Sequence, residues 1–397
     1  MADDGQRGDM QKVLIAGAGI AGIEAALALR DLAGGRVEVH LFDPRREFVY
    51  RPFAVGEAYG AARAFHYDLE RLSEHCDASF HPGGIVSVDI KRRLAVTRDG
   101  GQVLYDHLIL ATGVRMLWGV PGAVTFWGAA DEGQIGEVIA GLRAGRLRRL
   151  IFTMPGGHSW TLPLYELALR AITEIGKLGI DATQITVVTP EDLPLGVFGR
   201  QVGEQMSALL SERGIEVLAA THPMKFEDGS LRVAPGKGID ADAVVSLPRL
   251  EGRPVGGVPH DGDGFIGVDG HGGVIGLKGI YAVGDITTFP FKQGAVATQQ
   301  SDAVAETIAA AVGTGLEARA FDPILRGVLW TGRQPRYLYG RPTGGHGETS
   351  SFSKQPRGPL RSGKVTARYL SPLIDSLSAE CESNGAPRLA ARVPSTS

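Results

Sequence analysis

The stretch KVLIAGAGIAG, residues 12–22, limits the fold more than any other feature of the chain. A short apolar run ends on Gly17. Gly19 and Gly22 complete a GxGxxG pattern at the mouth of the helix-forming segment IEAALALRDL. A strand, a tight turn and a helix are predicted in that order. The first glycine permits the turn, the second lets a pyrophosphate approach the backbone, and the third lets helix and strand pack closely. Free N–H groups and the positive end of the helix dipole would then face the phosphates. RVEVHLFD follows as a second strand and ends on Asp43, 21 residues after Gly22. A carboxylate there can accept hydrogen bonds from ribose hydroxyls. The alternative, glycines that serve only helix packing, does not account for strand, helix and acid standing in register.

The unit recurs. Residues 148–190 run strand (RRLIFTM), helix (LPLYELALRAITEIGKLG) and strand (QITVVTPED), and LALR occurs at both 27–30 and 167–170. A further helix, FGRQVGEQMSALLSERG, and a strand, IEVLAA, follow. Residues 43–60 read as a long connection. Residues 84–110 read as a β-meander with a hairpin turn at Asp99-Gly100-Gly101. Residues 222–262 read as strand and loop, and 264–285 as strand, turn, strand. GAVATQQSDAVAETIAAAV reads as a helix that buries small residues. Beyond residue 320 the pattern weakens, and 340–359 read as loop. GKVTARYLSPLIDSLSAE suits a short amphipathic helix with Tyr369, Leu370, Leu373, Ile374 and Leu377 on one side and Pro372 in its first turn or at a kink. The last dozen residues read as disordered. A chain of 397 residues, 43% hydrophobic and with 56 glycines, suits an α/β protein rich in tight strand-to-helix turns.

A formal net charge of −3 gives no footprint for nucleic acid. The two cysteines, Cys76 and Cys381, form no CxxC pair and no zinc-type cluster, so neither a metal site nor a disulfide framework is expected. A reducing cytoplasm is the default compartment. The polar first ten residues lack a secretory core, and no run of 18 apolar residues occurs.

Two later stretches narrow the nucleotide. LILATGV, 108–114, resembles the ATG element of flavoproteins with two dinucleotide-binding domains, and GIYAVGDIT, 279–287, resembles their second FAD element. The chain resembles the pyridine-nucleotide-disulfide oxidoreductase superfamily, in particular the branch of sulfide:quinone oxidoreductases and type II NADH dehydrogenases. FDPRREFVYRPF (42–53), FPFKQGAVATQQSDAVAETIA (289–309) and GKVTARYLSPLI (363–374) are similar to segments of that branch. The likeness runs from residue 12 to about 375, with a strong flavin half and a thin middle.

The resemblance implies an α/β fold with two Rossmann-like three-layer domains. Residues 1–115 and 265–318 would bind FAD and include the β-meander, 116–264 would form a degenerate NAD-type domain, and 319–397 a C-terminal segment. Gly17, Gly19 and Gly22 would hold the pyrophosphate. Asp43 would bind the adenosine ribose with Arg45 alongside, and the Val86 backbone would meet the adenine. Thr112 and Gly113 would line the cofactor, and Gly284 and Asp285 would take its ribityl and phosphate end. Lys292, Gln293 and Ala295 would lie at the pyrimidine end of the flavin ring. Reduced flavin is anionic at N1/O2, so a cation at Lys292 would stabilise it. The competing reading of Lys292 is a solvated surface lysine.

PGGHSW, 155–160, stands where relatives that oxidise NAD(P)H carry a second GxGxxG followed by Glu-x-Ala. Matching LALR to LALR puts Gly157, Ser159 and Leu162 at the glycine positions. Matching Glu166 to the family's Glu puts Ser159, Thr161 and Leu164 there. Either register loses at least two glycines, which disfavours NAD(P)H bound in the usual manner. Glu191 ends the second strand, as a ribose acid or as an exposed turn acid. Glu166 is a candidate for proton transfer near flavin N5, or a plain carboxylate on the helix surface. His158 and Trp160 either line a substrate pocket or serve the structure. Neither cysteine matches a redox position of the sulfide-oxidising branch.

The expected activity is an FAD-dependent oxidoreductase that passes electrons between a donor and a small acceptor, a quinone being the acceptor the resemblance suggests, without redox cysteines. The alternatives are a type II NAD(P)H dehydrogenase, a flavin-binding redox scaffold without turnover, and a flavin monooxygenase or tailoring dehydrogenase. A homodimer is compatible with these readings. So is peripheral contact with the inner membrane face through the helix near 365–379, against which stands packing of that helix onto the protein.

Overall fold

The computed structural model describes residues 10–62, 64–128, 133–180, 182–342, 350–356 and 364–383. Ten strands form two parallel sheets: β1 (Gln11–Ala16), β2 (Val37–Asp43), β3 (Ala78–Pro82), β4 (His107–Leu110), β5 (Val124–Thr125), β6 (Arg149–Thr153), β7 (Gln184–Val188), β8 (Ile215–Leu218), β9 (Ala243–Ser246) and β10 (Ile280–Ala282). The first sheet has the order β10-β4-β1-β2-β3 and the second β5-β9-β6-β7-β8. The two orders follow one plan: three consecutive strands run one way from the first, and the chain returns to its other side.

A parallel sheet must be covered on both faces. In β1, Val13 and Ile15 face one core while Leu14 and Ala16 face another, as the two-residue period requires. The first core is closed by α1 (Ile20–Leu32), α4 (Gly294–Ala311) and α5 (Leu370–Ser383). The second is closed by the meander strands 85–89 and 94–97 and by the segment 255–286. Small residues let α1 and α4 lie close, and Ser301 Oγ donates to the Ala21 carbonyl at 2.8 Å across the seam. The second sheet carries α2 (Leu162–Lys177), with Leu164, Tyr165 and Leu167 fully buried, and α3 (Arg200–Glu212).

Several local expectations change. The connection at 43–60 contains the strand Glu47–Tyr50, which pairs antiparallel with Phe65–Asp68, and the helix Ala54–Ala58. Phe48 stacks with Tyr67 across that pair, and Tyr67 stacks in turn with Phe65 along its own strand, the first an interaction invisible along the chain. The meander ends at Gln102–Leu104; the following residues leave it and become β4 of the parallel sheet. Between 264 and 275 there are isolated bridges instead of a strand. Ser350–Ser353, within the expected loop, pairs with Arg336–Gly340, and Phe352 packs onto the core between the second sheet and its helices α2 and α3. Residues 343–349 and 357–359 of that loop, and the C-terminal dozen, lie outside the described residues.

α5 starts at Leu370, so Pro372 falls in its first turn. Leu370 and Ile374 are buried on the first core, and Tyr369, Leu373 and Leu377 pack against it. The apolar side of this helix is therefore covered by the protein. Among the described residues no helix is long and apolar enough to cross a membrane.

Candidate functional site

Three residues, 17–19, join β1 to α1. Gly17 has φ +114°, and a Cβ there would come within 2.3 Å of the Ala111 carbonyl oxygen. Its N–H donates to the Phe42 carbonyl at 2.7 Å, which ties the turn to β2. A Cβ on Gly22 would lie 1.9 Å from the Gly17 oxygen, so only glycine allows this helix to start here. Gly19 differs, since a Cβ on it would meet nothing within 4 Å. The space kept clear at the helix mouth is what an approaching pyrophosphate needs.

Asp43 ends β2 beside that space. Oδ2 accepts from the Ala18 N–H and from Arg45 Nη2, both at 2.8 Å, and Oδ1 accepts from the Arg45 N–H and Nε at 2.9 Å. Hydrogen bonds from Arg45 hold the carboxyl below its usual range although burial opposes this. The Arg45 side chain is itself half exposed. Val86 sits on a bulge of the meander's first strand, and its carbonyl accepts from the Gly256 N–H at 2.9 Å. Thr112 Oγ1 donates to the Arg253 carbonyl at 2.8 Å, and Gly113 takes φ +67°.

The N-terminus of α4 meets that of α1 at Gly284. A Cβ there would press on Ala21 at 2.9 Å and Ala297 at 3.4 Å, and its N–H donates to Gln300 Oε1 at 2.7 Å. Lys292 is buried, not solvated. Its Nζ lies 4.1 Å from the centre of the Phe265 ring and donates to the Thr287 carbonyl. Burial pulls its ammonium down to about 8, although Asp285 and Asp261 draw it up. The Asp285 carboxyl is raised by burial, with Lys292 opposing. Gln293 precedes α4; its Nε2 donates to the Arg326 carbonyl and its Oε1 is buried without a partner. Ala295 is buried in the first turn. The clear space at Gly19, and Gln293 Oε1, which has no partner among the described residues, are steric and polar vacancies that an extended FAD would fill, so these residues fit the cofactor.

The second unit is built otherwise. Eight residues, 154–161, join β6 to α2. Counted from the helix starts, Ser159, Thr161 and Leu164 stand where Gly17, Gly19 and Gly22 stand in the first unit, the register that also aligns Glu166 with Glu24. The carbonyl of Val188 takes the Thr153 hydroxyl at 2.8 Å, where the matching Phe42 carbonyl takes a backbone N–H. The loop is tied sideways to the α4 approach: Ser159 bridges Phe291, and the Lys292 N–H reaches the Ser159 carbonyl at 3.3 Å. His158 packs on Phe265 at 4.4 Å between ring centres, and Trp160 meets Phe198 edge-on at 5.9 Å. A cavity of about 530 Å³ lies at the carboxyl ends of β6 and β7, walled by Gly156, Gly157, Trp160, Glu191, Arg200 and Phe291. Glu191 is not an exposed turn acid. Its carboxylate accepts from Thr161 Oγ1 at 3.1 Å, Thr189 Oγ1 at 3.2 Å and the Tyr165 hydroxyl.

Glu166 is not a surface carboxylate either; it is 1% exposed. Lys364 Nζ lies 2.6 Å from both of its oxygens, and the Trp330 N–H donates to Oε1 at 2.7 Å. Burial lifts the Glu166 carboxyl and depresses the Lys364 ammonium while each pulls the other back. The next residue, Val365, packs where α1 and α4 begin: a Cβ on Gly294 would lie 3.0 Å from it and 3.2 Å from Ile20. Sequence inspection missed Lys364, because nothing in GKVTARYLSPLI marks one lysine as buried.

A pyridine nucleotide-disulphide oxidoreductase family profile matches residues 11–146 and 165–314. The ferredoxin–NAD(+) reductase subunit of a benzene 1,2-dioxygenase system from Pseudomonas putida is 25% identical over 342 residues, spanning 80% of this chain and 77% of that protein. A sulfide-quinone reductase from Aquifex aeolicus is 26% identical over 263 residues, 61% of this chain and 59% of the relative. The solved structure of the sulfide:quinone oxidoreductase of Aquifex aeolicus superposes with a TM-score of 0.78 at 21% identity, covering 97% of this chain and 93% of that one.

Proposed function

We propose that this chain, which belongs to the pyridine nucleotide-disulphide oxidoreductase family and is an FAD-dependent oxidoreductase, passes electrons to a quinone-class acceptor from a donor other than a conventionally bound NAD(P)H. One observation carries the reading: the glycine turn that admits a pyrophosphate is intact at β1 and replaced at β6 by a loop with Ser159 and Thr161 at the glycine positions.

FAD supplies the hydride or electron chemistry. The chain's own residues do the rest. Gly17, Gly19, Gly22 and Asp43 hold the dinucleotide, with Arg45, Val86, Thr112, Gly113, Gly284 and Asp285 along its length. Lys292, Gln293 and Ala295 set the α4 end, where a buried ammonium favours negative charge on the ring. The Glu166–Lys364 pair, whose neighbour Val365 packs at the start of α4, is a buried acid–base couple able to hold a proton: burial raises the carboxyl and lowers the ammonium while each opposes the other's shift. A relay through sulfur has no support in Cys76, which is fully buried and whose thiol burial pushes up to about 12.

The type II NAD(P)H dehydrogenase reading keeps one observation in its favour, the cavity at the carboxyl ends of β6 and β7. Anaerobic mixing separates the two. Neither NADH nor NADPH should bleach the flavin band of the purified holoprotein, whereas decylubiquinone should reoxidise protein reduced with dithionite. Rapid bleaching by either nucleotide sinks the donor reading, and failure of the quinone to reoxidise sinks the acceptor reading.

A further inference from the structure

We infer that Tyr165 and Thr161 lock Glu191 out of service as a ribose acid, and that the second cleft is thereby set against nucleotides with a free ribose diol and toward a planar, largely apolar ligand without one. The inference deepens the donor reading above and rests on it.

A carboxylate has about four lone-pair sites, and a ribose diol fills two of them. At Glu191 three of the four have internal donors, the hydroxyls of Tyr165, Thr161 and Thr189, so a diol cannot find the two sites it needs.

Asp43 has four donors, but the two cases differ in what can leave. Two of the four at Asp43 come from the Arg45 side chain, which is half exposed and free to swing into solvent. Tyr165 is fully buried on α2 and cannot rotate away. Thr161 is itself at the position of Gly19, so one side chain both narrows the phosphate path and occupies the acid. The rest of the cavity wall offers Trp160, Phe291, Pro190 and Pro290, rings that suit a flat apolar ligand, with Arg200 as its cation.

The test is a titration of NADH into FAD-loaded protein followed by saturation-transfer NMR, with bleaching of the flavin read separately. The variants are Tyr165→Phe, Thr161→Gly, the double variant, and Glu191→Gln in the double background. Flavin absorbance and melting temperature report folding; Thr189→Ala, which alters a smaller side chain, replaces Tyr165→Phe should that variant lose its flavin. Wild type should bind NADH weakly. Each release of a hydroxyl should tighten NADH by at least about tenfold, and Glu191→Gln should abolish the gain. Unchanged affinity in the double variant overturns the lock, as does a gain that survives Glu191→Gln. Tight wild-type binding that Glu191→Gln weakens also overturns it. Wild-type bleaching by NADH with affinity indifferent to Glu191 instead defeats the donor reading and leaves the lock standing on the variant series.

Discussion

The molecule contains the same βαβ unit twice, and the two copies have gone separate ways at their crevices while keeping one feature in common. Strand order and the buried helix after the first strand are shared. The connecting turn is three residues in one and eight in the other. Gly19 leaves space, and its counterpart Thr161 fills it. The shared feature is a glutamate four residues into the helix. Glu24 and Glu166 are both buried, and both are engaged by segments far along the chain. Glu24 accepts the N–H groups of Tyr369 at 3.0 Å and Leu370 at 2.6 Å and so caps α5 from outside. Glu166 takes Lys364 and the Trp330 N–H instead. The crevices diverged, but the buried acids kept one task, anchoring the C-terminal residues 364–370 across both units.

The two acids should differ most under substitution. Glu166→Gln leaves the Lys364 ammonium buried without a counter-ion and should cost about 3–5 kcal/mol of stability. Glu24→Gln keeps one acceptor and turns an amide toward the other N–H, a loss of about 1–3 kcal/mol. Denaturant melts of the two variants check the ordering. Equal losses would mean that Lys364 is not paired as the geometry shows. Glu166→Gln combined with Lys364→Met should recover part of the loss, since the stranded charge is then removed as well.

The glycine turns give the next largest contrast. Gly19→Val points a side chain into empty space, so the apoprotein should fold with an unchanged far-UV spectrum. FAD affinity should fall by about 100-fold, or about 2.7 kcal/mol, read by flavin fluorescence during reconstitution. Thr161→Val, at the matching place in the second unit, should leave FAD affinity unchanged. If both substitutions weaken FAD alike, the units are not divided between cofactor and donor.

What could be read along the chain was what sits within one βαβ unit. Gly17, Gly19, Gly22 and Asp43 fall within 27 residues, and each is explained by its own turn or strand end. Pro372 announced the first turn of α5, and the apolar side of that helix announced a buried face. The losses are contacts between distant segments. Lys364 lies 198 residues from Glu166, and Leu370 lies 346 from Glu24. A lysine followed by valine and threonine has no local mark of burial; only the assembled C-terminal strap supplies the partner. The lock on Glu191 was missed for a related reason. Thr161, Tyr165 and Thr189 are ordinary helix-start and strand-end residues until β7 brings the acid alongside α2.

Lys292 offers the smallest effect and the finest test of how the first unit treats charge. Folding lowers its affinity for protons to about 8, against about 10.4 in an unfolded chain. The unfolded state therefore binds more protons between those values, and the stability of the apoprotein should rise as pH climbs from about 8 to about 10. Lys292→Met should flatten that rise and make the apoprotein more stable than wild type below pH 8, where the native protein bears the cost of a buried charge. In the holoprotein the same ammonium should help hold charge on reduced flavin, and only while it is protonated. The variant's midpoint potential should then fall by about 30 mV at pH 7, the two-electron equivalent of a tenfold bias, and the difference should shrink as pH climbs past about 8 and be gone by about pH 10. A potential difference that persists at pH 10 would place the effect in packing against Phe265 and not in charge.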